Sequence, residues 1–109
     1  MALPDAQPGK VIDVRPLGPA LGGTRTATLV KTPTLEVIRL ITSAGKETCH
    51  HHEVAGEVMV HCLEGLITVQ INGDSRVLEA GQMLYLSGGQ PHTIRGIEDS
   101  SVLLTILLR

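Results

Sequence analysis

The chain has 109 residues, a net charge of −2 and a single aromatic residue, Tyr85. This length fits one domain with a real core, and that core must be built from aliphatic side chains and methionine. Lysine and arginine are spread singly along the chain, so nucleic acid is not an expected partner. The N-terminus lacks the pattern of a secretory signal, and no apolar run is long enough to span a membrane. We therefore expect a cytoplasmic protein without membrane contact.

Residues 1–23 differ in composition from the rest of the chain. They hold four of the six prolines and four of the twelve glycines. Proline and glycine at this density disfavour regular structure, so an extended arm with at most one short strand is expected. The remaining residues, 24–109, are predicted to form one barrel domain.

From residue 24 onward the sequence consists of short runs rich in valine, isoleucine, leucine and threonine. Glycine, asparagine, aspartate or proline separates these runs, and Asn72-Gly73 is a strong hairpin signal. No stretch shows clean helical periodicity. The pattern predicts an all-β sandwich or barrel, because many short strands in one open sheet would expose edges. The predicted strands cover residues 25–31, 34–42, 47–54, 57–63, 66–71, 75–79, 82–86, 91–96 and 101–108.

Four of the five histidines lie in two short segments, at positions 50–52 and 92. Imidazole is a common transition-metal ligand, and an i, i+2 pair on a strand projects both rings from one face. This geometry favours His50 and His52 over His51, which replaces His50 only if the strand is irregular. The fifth histidine, His61, is expected to be structural or interfacial. The clustering indicates a metal site, with a solvated polar loop as the alternative.

Two segments of the chain have a recognisable spacing of glycine, histidine and glutamate: Gly45-x4-His50-x-His52-x4-Glu57 followed by Gly65, and Gly81-x5-Ser87-x-Gly89-x-Pro91-His92. They resemble the two conserved motifs of the cupin family. That resemblance implies a small antiparallel jelly-roll barrel with a divalent ion in one open end. The ligands it implies are His50, His52, Glu57 and His92, which leave positions open for a substrate or oxygen. Zn, Fe, Mn, Ni and Cu all suit such a site.

The spacing around Glu57 departs from the family pattern. Seven residues, 58–64, separate Glu57 from Gly65, one more than usual, so the usual glutamate position falls on Val58. A slip of one residue sends a strand side chain to the opposite face. Glu57 therefore lies outside the barrel in a regular strand, or inside it if a bulge near Gly56 shifts the register.

For several other side chains the sequence allows two interpretations of their position and role. Tyr85 is expected in the core, and the resemblance also makes it, like His51, a candidate for the wall of a ligand pocket. Arg39 and Arg95 are expected on solvated faces, with the anchoring of an anionic ligand as the alternative.

Three functions are compatible with these features. The first is a metal-dependent enzyme of the oxygenase or isomerase type that acts on a small polar molecule. The second is a non-catalytic sensor or store that binds metal or a small ligand, and the third is a metal-free barrel. Because the C-terminal run 102–108 is apolar on both faces, a homodimer that covers its outer face is also expected.

Overall fold

A computed structural model of the protein describes residues 7–50, 56–89 and 91–108, with the backbone alone for residues 49 and 50. Within these ranges a short 3₁₀ helix (Gly18–Gly23) precedes nine strands. The all-β prediction is confirmed, and the predicted strands match the observed ones closely within the described residues. Residues 51–54 of the predicted third strand lie outside those residues. The strands are β1 (Ala27–Lys31), β2 (Leu35–Thr42), β3 (Glu47–His50), β4 (Val58–Glu64), β5 (Leu66–Ile71), β6 (Asp74–Glu79), β7 (Met83–Leu86), β8 (His92–Gly96) and β9 (Ser100–Leu107).

The described strands form two sheets with jelly-roll connectivity. One sheet has the order β1-β2-β9-β4-β7, and the other has the order β3-β8-β5-β6. Every pair of neighbouring strands in these orders is antiparallel. The chain crosses repeatedly from one sheet to the other, so the two inner faces enclose a single interior.

The core lies between the sheets and is almost wholly aliphatic. In β4, the side chains of Val58, Val60 and Cys62 are at most 5% exposed, whereas those of Met59 and His61 are half-buried. Successive residues of a strand point to opposite faces, so the first three face the interior and the other two face outward. The inward residues pack with others from both sheets, chiefly Leu40, Ile67, Val69, Leu78, Leu86, Ile94, Val102, Leu104 and Ile106.

The hairpin between β5 and β6 is the tight turn that its sequence predicts. Asn72 and Gly73 both have positive φ, at 49° and 85°. A two-residue hairpin with positive φ at both positions follows the twist of its strands, and asparagine followed by glycine adopts it readily. The turn fixes the register in which Ile71 lies opposite Asp74.

Gly56 sets the position at which β4 begins. A Cβ atom at this residue would lie 1.8 Å from the carbonyl oxygen of Leu107, a contact that no side chain allows. The Leu107 N–H donates to the carbonyl of Glu57 at 3.0 Å and extends the β4–β9 ladder by one residue. Glycine is therefore required here by the close approach of two backbones.

Arg39 holds the arm against the barrel instead of facing solvent. Its side chain is on the outer face of β2, and the residue is only 8% exposed. The guanidinium donates to the carbonyl oxygens of Asp13, Val14 and Arg15. The expectation of a solvated Arg39 is wrong, because proline-rich residues of the arm cover it.

Glu64 holds the next part of the arm. Its carboxylate accepts hydrogen bonds from the N–H groups of Leu17, at 2.7 Å, and Gly18, at 3.1 Å. It also accepts one from the Ser101 hydroxyl at 2.9 Å. The arm is thus attached through its main chain. The boundary between arm and barrel at residue 24 stays a prediction. No helix in the described residues is long and apolar enough to cross a membrane.

Candidate metal site

Two crossovers bring His50 and His92 to one end of the interior. Strand β3 ends at His50 and the chain re-enters the other sheet at Val58, where β4 begins. Strand β7 ends at Leu86 and the chain returns to the first sheet at His92, where β8 begins. The ends of these four strands therefore meet at the same opening between the sheets.

His92 faces the interior at this opening. It is 6% exposed, and its Nε2 atom is fully enclosed. Ile94, two residues further along β8, belongs to the core, whereas Arg95 is exposed. This alternation gives His92 the inward direction of Ile94. An imidazole is thus positioned where the resemblance implies a metal ligand.

His50 occupies the register position directly opposite His92 on the neighbouring strand. Directly opposed residues of an antiparallel pair share one face of the sheet, with Cα atoms about 4.5 to 5.5 Å apart. The side chain of His50, and the whole of His51 and His52, lie outside the described residues. The backbone register alone therefore relates the two histidine segments.

Val58 occupies the inward position that the family pattern gives to glutamate. Val58 lies opposite Leu86 on one side and Ile106 on the other, and all three are at most 5% exposed. The strand thus has the regular register at its start, and Glu57, one residue earlier, belongs to the face of Met59. A register shift does occur in β4, but it lies between Cys62 and Glu64, far from Glu57.

Glu57 contacts Tyr85 on the outer face. The Tyr85 hydroxyl donates to Oε2 of Glu57 at 3.3 Å, and Tyr85 is 58% exposed. Tyr85 lies opposite Met59, whose side chain also faces outward. Tyr85 lies on the outer face and not in the core where it was expected. The contact agrees with the outward position that a regular strand predicts for Glu57.

His61 lies further along β4, on the outer face. Its register partners are Met83 on β7 and Leu103 on β9. This position separates His61 from the opening where His92 lies. Its expected structural or interfacial role stays a prediction.

An ion pair between Lys31 of the edge strand β1 and Glu36 of β2 was not identified from the sequence. Glu36 of β2 lies opposite Ile106, and Lys31 of β1 lies opposite Glu36. The Lys31 Nζ atom is 3.5 Å from Oε1 of Glu36, whose side chain is 22% exposed. The only signal in the sequence is the alternation of Glu36 with Ile38 and Leu40, which share its face.

The residues present fit an imidazole-based metal site in part. Within residues 7–50, 56–89 and 91–108, no group of three or more His, Cys, Asp or Glu side chains is arranged to hold a metal ion. The enclosed imidazole of His92 and the position of His50 beside it are nonetheless suitable for an ion bound mainly by nitrogen. Of the ligands implied by the resemblance, His92 faces the interior and Glu57 contacts Tyr85. The ligand role of each stays a prediction.

The fold and this opening define the class of the protein, a small jelly-roll barrel with histidine at one open end. The sequence model of the cupin domain matches residues 37–107, and the chain belongs to this family. No curated protein matches the chain.

Solved structures support the same fold over most of the chain. A conserved protein of unknown function from Streptococcus pyogenes has a TM-score of 0.73 and 23% identity, over 95% of this chain and 91% of that chain. KdgF from Halomonas sp. has a TM-score of 0.68 and 23% identity, over 77% of each chain. Salicylate 1,2-dioxygenase from Pseudoaminobacter salicylatoxidans has a TM-score of 0.67 and 24% identity, over 74% of this chain and 24% of that chain. At these identities the likeness concerns the fold alone.

Proposed function

We propose that the protein binds a divalent transition-metal ion between the ends of β3 and β8, with His50, His52 and His92 as the ligands. The observation that carries this proposal is the buried, inward-facing His92 directly opposite His50 in the strand register. Glu57 is left out of the proposed ligand set, and its hydrogen bond to Tyr85 on the outer face supports this choice.

The proposed ion would act as a Lewis acid toward a small polar molecule. Three neutral imidazoles leave the charge of the ion uncompensated and leave coordination positions open. The residues around His92 would limit the volume and exclude water, since Val58, Leu86 and Ile106 line the same opening with aliphatic side chains. A small ligand with an oxygen donor suits this combination of a cation and apolar walls.

A metal titration of untagged protein tests the proposal. We expect His92→Ala to lose high-affinity binding, because the enclosed ligand is removed. His61→Ala is the matched control, since it removes an imidazole from the outer face of β4, and it is expected to bind metal as the wild type does. Equal binding by the wild type and His92→Ala would refute the proposal.

The activity proposed for this site is of the oxygenase or isomerase type on a small polar substrate. The alternative is a binder that leaves its ligand unchanged. Incubation of the metal-loaded protein with small hydroxy and oxo acids, followed by mass spectrometry, distinguishes the enzyme from the binder. Conversion that disappears in His92→Ala supports an enzyme, whereas retention of an unchanged ligand supports the binder.

We further propose that the protein is a cytoplasmic homodimer that associates through the outer face of the five-stranded sheet. This face carries Met83, 56% exposed, and Tyr85 beside the half-buried Leu103 and Met59. Exposed apolar side chains in contiguous strands are typical of interfaces. Sedimentation at micromolar concentration is expected to give a dimer, and Met83→Lys is expected to weaken it. A monomeric wild type would contradict the interface.

A further inference from the structure

We propose that the protein has a second binding site, for a small aliphatic α-amino acid, in a cavity beside the 3₁₀ helix. Arg25 and Asp99 line this cavity from different segments of the chain and bind the two charged groups of the ligand. The site shares no residue with the proposed metal site, so it goes beyond that function and does not depend on it.

The cavity lies between the start of β1 and the turns that join β2 to β3 and β8 to β9. Its lining comes from residues 21 to 26, from residues 41 to 43 and from Asp99. Its volume is about 240 Å³. Pockets for drug-sized ligands begin at about 300 Å³, so this cavity suits a smaller molecule.

Strand pairing places the cavity at the other end of the barrel from His92. Val58, at the opening where His92 lies, pairs with Ile106 near the end of β9. Thr42, which lines the cavity, pairs with Ser100 at the start of β9. The length of strand from residue 100 to residue 106 is about 20 Å. A small molecule in the cavity therefore does not reach the proposed metal site.

Two opposite charges line the cavity without binding each other. Arg25 and Asp99 are both exposed, and neither forms an ion pair within residues 7–50, 56–89 and 91–108. Opposite charges that are held apart on the walls of one small cavity are complementary to a ligand with a carboxylate and an ammonium group. An α-amino acid carries both groups on one carbon atom.

Hydrogen bonds hold both sides of the cavity and leave groups for a ligand. The Asp99 Oδ1 atom accepts from the Ala44 N–H at 2.9 Å, which positions the carboxylate and leaves Oδ2 for an ammonium group. Beside Arg25, the Thr26 Oγ1 atom accepts from the Ile41 N–H at 2.9 Å, so the Thr26 hydroxyl can still donate. The guanidinium and this hydroxyl suit the ligand carboxylate.

Apolar side chains form another part of the lining. Leu21 of the 3₁₀ helix is 9% exposed, and Ile41 at the end of β2 is half-buried. An aliphatic side chain in contact with both would remove apolar surface from water. The site is therefore expected to prefer valine or leucine to a polar amino acid of similar size.

Amide chemical shifts of the ¹⁵N-labelled whole chain test this proposal with L-valine. We expect saturable shifts in residues 21–26, 41–44 and 99, and none around His92. Isobutylamine and isovalerate are the matched ligand controls, since they are valine without its carboxylate and without its ammonium group. Each is expected to bind at least about tenfold more weakly, because one charge-assisted contact is lost.

Two variants remove the charges of the site one at a time. Arg25→Gln and Asp99→Asn are each expected to weaken valine binding by about tenfold. Asp99→Asn keeps an oxygen that accepts from the Ala44 N–H, so it preserves the turn. Arg95→Gln is the control, because Arg95 pairs with Glu47 away from the cavity, and it is expected to bind valine as the wild type does.

The outcomes separate this site from the metal site. Valine that causes no saturable shift would refute the proposal, and so would equal affinities of the wild type, Arg25→Gln and Asp99→Asn. Equal binding of valine and isovalerate would also overturn it, since Asp99 would then contribute nothing. His92→Ala is expected to bind valine normally, and loss of binding in this variant would show that the ligand occupies the barrel interior instead.

Discussion

Arg39 and Glu64 bind the same arm through opposite kinds of main-chain group, the first through carbonyl oxygens and the second through N–H groups. Arg39 donates to carbonyl oxygens of residues 13–15, and Glu64 accepts from N–H groups of residues 17 and 18. Both side chains come from the outer face of one sheet, on β2 and β4. Because the contacts involve backbone atoms, the arm is held by its conformation more than by its side chains.

Replacement of Arg39 by alanine is expected to destabilise the protein. The guanidinium is 8% exposed and its loss leaves carbonyl groups of the arm and the Glu64 carboxylate without their nearby cation. Loss of hydrogen bonds from a charged donor to main-chain carbonyl groups costs about 2 kcal/mol in the free energy of unfolding. Urea denaturation measures this cost. Arg95→Ala is the control, since its ion pair with Glu47 is exposed at 3.8 Å and contributes little. Equal stabilities of the two variants would contradict this account of the arm.

Glu64 makes the attachment of the arm sensitive to acid. Partial burial raises the pKa of this carboxyl, but the hydrogen bonds from Leu17, Ser101 and Gly18 and the Arg39 charge outweigh it and hold the pKa below its usual range. A depressed pKa in the folded state gives stability that is present above the unfolded-state pKa and is lost as the pH falls through the folded-state value.

The corresponding measurement compares wild type with Glu64→Gln as the pH is lowered. The wild type is expected to be the more stable protein at neutral pH. Its advantage should shrink below about pH 5, as the Glu64 carboxylate takes up a proton. An advantage that stays constant down to pH 3 would show that the ionised carboxylate does not hold the arm.

Gly56 is expected to tolerate no side chain. Its Cβ position lies 1.8 Å from the Leu107 carbonyl oxygen, so Gly56→Ala must separate β4 from β9 at the open end. We expect a loss of ~3 kcal/mol or more in the free energy of unfolding. Gly22→Ala is the matched control, because a Cβ at that residue meets nothing within 4 Å. Comparable thermal melting of the two variants would be inconsistent with the close strand contact.

The strands and turns could be predicted from the local sequence. The start of β4 illustrates the physical reason. The alternation of Val58, Val60 and Cys62 and the position of Gly65 predict a register in which Glu57 faces outward. The structure has that register, because burial of three aliphatic or small side chains outweighs the burial of one carboxylate. Hydrophobic alternation therefore predicted this strand better than the motif spacing did.

Contacts between segments that are far apart along the chain could not be predicted from the sequence. Arg39 was expected to face solvent, because nothing local indicates that residues 13–15 fold back over it. Tyr85 was expected in the core or pocket, yet it lies on the outer face beside Met59. Whether such a face is covered depends on the order of strands in the sheet and on partners, which alternation alone does not specify.

Anomalous scattering from crystals of the protein purified without an affinity tag is the most direct test of the metal site. Data collected on both sides of the absorption edge of the bound metal locate the ion independently of any activity. We predict one dominant anomalous peak inside the open end, within coordination distance of His92 and bounded by His50 and His52. Absence of a peak there in metal-supplemented crystals, or a peak only on the outer face, would contradict the account.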